Sequence, residues 1–175
     1  MRVPVMELVV EAVPVAARTE TFEAFYRAQA DRVYRALALT LGHDDLAREA
    51  TDEAMTRAYA RWSRVGSLDN PPAWVYRVGL NWATSAWRKR RRERPHTGAD
   101  RDPSTAPPDP AALAARVALH ALPRTQRAVV VCRIFLDLST AETAAILGTT
   151  EGTVKSRLSR SLASLRTTLT DQEKP

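Results

Sequence analysis

Apolar residues recur along this chain at three- and four-residue intervals, the period of a helix with one buried face, and no stretch alternates apolar and polar positions between hairpin turns. The pattern predicts an all-α chain. Phe22, Phe25, Tyr26, Val33, Leu37 and Leu41 mark a first helix that Gly42 closes. A second, from about Asp44 to Arg64, carries the stripe Ala47, Ala50, Ala54, Met55, Ala58 and Trp62 and leaves Arg48, Glu49, Asp52, Glu53, Arg57 and Arg61 outside. Glu53 precedes Arg57 by four residues, the favourable order for an intrahelical ion pair. The third helix begins after the cap-and-proline run Asp69-Asn70-Pro71-Pro72 and continues through Trp87 into Arg88-Lys89-Arg90-Arg91-Arg92. On it, Val75, Val78, Trp82 and Ala86 form a face that can enter the core, and Trp87 also reads as core. Trp74, Arg77, Asn81, Ser85 and Arg88 share another face.

The periodicity stops at Arg94. From there to Pro110 the chain is rich in proline and other turn formers and has no apolar repeat, so it reads as an extended tether between two helical modules. Beyond it, Leu138 to Leu158 reads as two short helices joined by a glycine turn. Ser139 and Glu142 can form a capping box, Gly148 suits a left-handed stop, and Thr150 can cap the next helix. Val154, Leu158, Leu162, Leu165 and Leu169 would pack on Ala144 and Leu147, leaving Gly152, Ser156, Ser159 and Arg160 outward with Lys155 and Arg157 flanking. That is the layout of a DNA-reading helix-turn-helix, whose second helix brings cations and hydroxyls to a major groove. An amphipathic helix with a solvated basic face would satisfy the same caps and charges.

Charge favours the first of these readings. The 175 residues carry a formal net charge of +6, and the isoelectric point is near 10.1, which suits a polyanionic partner. The tryptophans and arginines of the third helix add groups that stack on unpaired bases and follow phosphates. A disulfide framework is excluded by the single cysteine, Cys132, whose apolar setting reads as helix core in a chain suited to a reducing cytoplasm. No apolar run approaches the roughly 18 residues of a membrane span. Met1 to Ala17 is interrupted by Glu7 and Glu11 and opens with only Arg2, so it reads as an N-terminal extension rather than a signal peptide. Catalysis has little to build on. His43, His96 and His120 are far apart, and there is no Cys/His metal spacing, phosphate-binding glycine loop or nucleophile elbow, hence no expected cofactor, metal or small-molecule substrate.

Taken together, Leu122-Pro123-Arg124-Thr125-Gln126-Arg127, Leu138-Ser139 with Glu142, and the run from Glu151 to Arg160 resemble the extracytoplasmic-function class of sigma factors, the small group-four members of the sigma-70 family. The chain is similar to the actinobacterial sigma-E-like type. The resemblance covers about Thr21 to Leu169, and Ala73 to Val78 with Asn81 and Arg88 looks like that family's promoter-facing helix. It implies an extension over residues 1–19, sigma region two over 20–93, a linker over 94–110 and sigma region four over 111–170. It further implies a bacterial cytoplasmic initiation factor with no bond-making chemistry. Its partners would be core RNA polymerase, through the clamp helices of the largest subunit and the flap of the second-largest, promoter DNA and, in many relatives, an anti-sigma factor.

By the same resemblance, Glu49, Asp52, Glu53 and Arg57 would meet the polymerase; Trp74, Arg77, Asn81, Arg88 and Arg91 the minus-ten element; and Thr153, Lys155, Ser156, Arg157, Ser159 and Arg160 the minus-thirty-five element. The loop from Ser63 to Pro72 would hold a base flipped from the non-template strand. The chain departs from the family pattern at Asp52, where glutamine is usual, at Met55, where an aromatic is common, at Ser85, often acidic, and at Leu80, often polar. A DNA-binding regulator acting without polymerase is the alternative; it predicts a homodimer on symmetric half-sites and leaves the third helix without a task.

Overall fold

The structure, a computed structural model, describes residues 21–93 and 109–172, and every regular element among them is helical. The N-terminal extension and nearly all of the tether lie outside the described residues. Thr21 caps α1 (Phe22–Leu41) by accepting from the Ala24 N–H, and Gly42, at φ 76°, closes it. α2 spans Asp44–Tyr59, the short α3 Trp62–Val65, and α4 Pro71–Glu93, with Asn70 Oδ1 accepting from the Ala73 N–H at the start of α4.

The second helix is therefore shorter than its stripe suggests. Arg61 leaves the helical region (φ −128°, ψ 26°), which turns Trp62 away from the alanine stripe. Its ring lands among aromatic neighbours, 5.5 Å from Phe22 and 4.8 Å from Phe25. Offset and edge contacts of this kind add to the burial of a large ring.

α1, α2 and α4 form a three-helix bundle. Its core holds Phe25, Val33 and Leu37 of α1, the alanines and Met55 of α2, and Val75 and Ala83 of α4. α4 comes so close that a Cβ added at Gly79 would stand 2.8 Å from Leu37 Cδ1 and 3.1 Å from the Ala50 carbonyl oxygen. A second side of α4 is also buried. Tyr76 is fully enclosed and was not on the face predicted to enter the core; Trp87, predicted as core, is 43% exposed. Thr40 donates to the Ala36 carbonyl at 2.9 Å, which leaves its oxygen to accept from the Tyr76 hydroxyl at 2.8 Å.

In the C-terminal module, Pro110 starts α5 (Pro110–Ala121) instead of ending the tether, because Asp109 caps the helix and a first-turn proline forfeits no hydrogen bond. α6 (Arg124–Val130) runs into a π-helical turn over Val131–Phe135, and a left-handed Asp137 (φ 55°) then redirects the chain. α7 (Thr140–Leu147) and α8 (Glu151–Gln172) follow. Val129, Ala144 and Val154 close a small core with Leu147 and Leu158, as the stripe on α8 predicted, while Leu169 at its far end is exposed.

The two modules are not held apart. α1 packs on α5, α6 and the π-helical turn, and α4 on α7, so that one apolar cluster runs through both. No helix among the described residues is long and apolar enough to cross a membrane.

Two glycine substitutions separate the constraints on this fold. Gly79→Ala forces its neighbours apart and is expected to cost about 1–2 kcal/mol even after the gain in helix propensity. Gly148→Ala meets no atom within 4 Å, and its cost is the left-handed backbone alone, roughly 1 kcal/mol. Denaturant unfolding of both variants checks the two values.

Candidate nucleic-acid interface

The helix-turn-helix is assembled by its caps. The Glu142 N–H donates to Ser139 Oγ at 3.1 Å and the Ser139 N–H returns to Glu142 Oε2 at 2.8 Å, completing the expected capping box. Gly148 is left-handed (φ 62°), and the Thr153 N–H donates to Thr150 Oγ1 at 3.2 Å at the start of α8. These caps satisfy donors that a helix start leaves unpaired, and so fix where α8 begins and which side faces out.

On α8, Lys155, Ser156, Ser159 and Arg160 are exposed on one surface, with Thr153 and Arg157 half-buried at its margins. Arg160 is folded back on its own helix. Its Nε donates to the Ser156 carbonyl at 3.2 Å and its Nη2 to Ser156 Oγ at 3.4 Å, while Ser156 Oγ donates to the Thr153 carbonyl at 3.1 Å. An incoming phosphate or base edge would trade against weak local bonds. Behind this face the fully buried Ser161 donates to the Arg157 carbonyl at 2.7 Å, and its Oγ lies 3.4 Å from the Gln126 side-chain amide, which brings α8 against α6. Sequence reasoning missed this anchor, although a serine one turn beyond Arg157 and next to the Leu158–Leu162 stripe was the available signal.

The set on α4 also shares a surface. Arg77, Asn81 and Arg88 are exposed and Trp74 is half-buried against the core, which leaves only part of its ring for stacking. The backbone of Arg91 continues α4, but its side chain lies outside the described residues. Arg124 of the C-terminal module reaches this helix. Its Nη2 donates to Thr84 Oγ1 at 2.9 Å, and burial first, then the neighbouring Arg88, lower its pKa. On α2, Glu49, Asp52 and Arg57 are exposed and Glu53 is half-buried. The Glu53–Arg57 pair forms as predicted, at 2.7 Å. The three sets therefore occupy three helices, and their described side chains are exposed or half-buried. Among the described residues, no group of three or more His, Cys, Asp or Glu could hold a metal ion.

Comparison with known proteins places this architecture. Residues 112–165 match the family model described as sigma-70, region 4. Over 156 residues the chain is 35% identical to the RNA polymerase sigma-E factor of Streptomyces avermitilis, with 87% of each chain covered. It is 35% identical over 141 residues to the ECF RNA polymerase sigma factor EcfG of Rhodopseudomonas palustris, covering 75% of this chain and 76% of that one. The fold is similar to that of the sigma factor RpoE from Bartonella quintana, solved in a co-crystal with the anti-sigma factor NepR, at TM-score 0.72 and 22% identity over 85% of this chain and 96% of that one. The chain belongs to the extracytoplasmic-function (ECF) sigma factors of the sigma-70 family.

The capping box gives a pH signature. Hydrogen bonds from Ser139, through its side chain and then its backbone, and from Asn70 hold the Glu142 carboxyl below its usual pKa. A lowered folded-state pKa stabilises fully above the unfolded value, about 4.3, and the contribution is lost as pH falls through the folded value. Ser139→Ala is expected to cost about 1 kcal/mol at neutral pH. In that variant the Glu142 titration, followed by NMR, should move back towards the ordinary glutamate value.

Proposed function

We propose that this ECF sigma factor binds core RNA polymerase in the bacterial cytoplasm and directs promoter recognition, promoter opening and initiation. The observation that carries this reading is the joint display of a capped, outward-facing α8 and a tryptophan- and arginine-bearing α4 in one chain. A regulator reading duplex DNA alone needs the first and has no use for the second. In this reading residues 20–93 act as region two and 111–170 as region four, joined by 94–110.

Thr153, Lys155, Ser156, Arg157, Ser159 and Arg160 read the minus-thirty-five element, most of their affinity coming from phosphates. Trp74, Arg77, Asn81, Arg88 and Arg91 take the minus-ten element as it opens, where stacking and phosphate contacts offset an unstacking cost of a few kcal/mol per base. Glu49, Asp52, Glu53 and Arg57 face the clamp helices. Asp52 offers a carboxylate where relatives offer an amide, so it favours a cation on the polymerase. The flap of the second-largest subunit meets region four. An anti-sigma factor is a fitting regulator, since the similar fold of RpoE was solved with one bound. Bond making stays with the polymerase.

The test is transcription of fragmented genomic DNA by sigma-free core polymerase, with and without the protein, mapping RNA 5′ ends. New starts behind a two-box motif of fixed spacing are expected. Symmetric footprints by the protein alone, with no new starts, would overturn the reading. On a promoter so found, Lys155→Ala or Arg160→Ala is expected to lower initiation about tenfold.

A further inference from the structure

We propose that Arg88, Arg124 and Arg127 form a binding site for a small oligophosphate where the C-terminal module meets α4. The regulatory consequence drawn below rests on the sigma-factor reading, but the site itself does not.

Two kinds of cation line the seam between the modules. The first kind is spent. Arg32 of α1 donates through Nη2 to the Phe135 and Leu136 carbonyls at 3.3 and 3.2 Å, and Arg116 of α5 donates to both carboxylate oxygens of Asp44 at 3.1 and 3.2 Å. The second kind has no anion. Among the described residues, no carboxylate pairs with Arg88, Arg124 or Arg127.

These three are neighbours. Arg124 Nη2 donates to Thr84 Oγ1 at 2.9 Å, and Thr84 lies one turn before Arg88 on α4, which puts Arg88 beside the Arg124 head. Arg127 follows Arg124 by three residues, the spacing that places two side chains on one side of a helix. Its Nη1 rests against Gly42, where an added Cβ would stand 2.9 Å away. Arg124 is thus the middle of a row. Burial lowers the pKa of Arg124 and Arg127, and the charge of the next arginine along, Arg88 for the first and Arg124 for the second, lowers it further.

The donors are as idle as the charges. A guanidinium presents five N–H groups. Arg124 uses one on Thr84, Arg127 uses one on the Leu122 carbonyl at a weak 3.4 Å, and Arg127 Nε is buried without a hydrogen-bond partner. An acceptor oxygen delivered there recovers the cost of that unpaired donor. Phosphate fits best, because its oxygens match the forked guanidinium. A row of three arginines suits linked phosphates better than a single one. The half-burial of Arg124 and Arg127 favours a small ligand over the continuous backbone of a duplex.

Arg88 also belongs to the set proposed for the minus-ten element. An oligophosphate in the row would occupy that cation, so the site is inhibitory.

Tripolyphosphate is the probe, titrated into the full chain by calorimetry and thermal melting, with sulfate at equal ionic strength for comparison. One-to-one binding and a raised Tm are expected. Arg124→Gln should weaken binding about tenfold and Arg124→Lys should restore part of it. Arg166→Gln, which removes an exposed cation of α8 outside the row, should leave it unchanged. Tm values without ligand show that each variant folds. Equal stabilisation by sulfate, or equal loss in Arg166→Gln, would reduce the effect to diffuse attraction by a chain of charge +6 and overturn the site. Weakened binding of duplex DNA by Arg124→Gln with tripolyphosphate binding intact would assign the row to DNA and overturn it as well. These measurements need no polymerase, so the site stands or falls separately from the transcription result. In that assay, at fixed free magnesium, tripolyphosphate should lower initiation by the wild type more than by Arg124→Gln, and equal inhibition of both would overturn the regulatory role.

Discussion

The close approach at Gly79 is the constraint from which the rest of the structure follows. It lets α4 settle against Leu37 and the backbone of α2, and a helix seated that deeply turns a second side towards α1 and the C-terminal module. Tyr76 then lies in the seam and Arg77 and Asn81 lie outside, a division imposed by 100° per residue once one contact is fixed. The exposed face of α4 and the intermodule surface are thus two consequences of one packing decision.

The seam combines apolar cover with polar contacts that differ in how readily they yield. Burying the ring of Tyr76 and the side chains of Leu136 and Leu138 favours closure in proportion to area and is indifferent to salt. The Arg116–Asp44 pair is different. Asp44 is nearly buried while the arginine is about one-third exposed, so the pair is partly screened and its worth falls as ionic strength rises. The same cations that hold the modules together are the groups a polyanion would attract. Arg124 is one such cation: burial lowers its pKa most, and the charge of the neighbouring Arg88 lowers it further.

Much of this was legible in the sequence wherever the signal is local. The capping box at Ser139 and Glu142, the Gly148 stop, the Thr150 cap, the Gly42 stop and the Glu53–Arg57 pair each involve residues within four positions, and each forms as predicted. The misses share a different cause. Periodicity fixes the phase of one buried stripe, so a helix buried on two sides conceals the second; Tyr76 was hidden in that way. The break after Tyr59 has no glycine or proline to announce it, being set by where the Trp62 ring finds partners on α1. The seam was invisible because its pairs lie 40 to 104 positions apart, and a proline-rich run of residues suggests separation without excluding contact. The site sets themselves came from family resemblance, and what the structure adds is that the described members of each set lie on a single helix, exposed or half-buried.

Exposure is not the same as readiness. The α8 surface is displayed in the closed chain, yet Arg160 and Ser156 are spent on local bonds, and the set on α4 stands beside Arg124 of the other module. A surface confined to one helix face reaches few phosphates, and affinity that depends on phosphate number is then modest. Joining both surfaces on one DNA molecule multiplies their contributions through effective concentration, but only when the geometry allows both to engage. In the proposed reading, selectivity for a two-box promoter would come from coupling two modest surfaces and not from the strength of either.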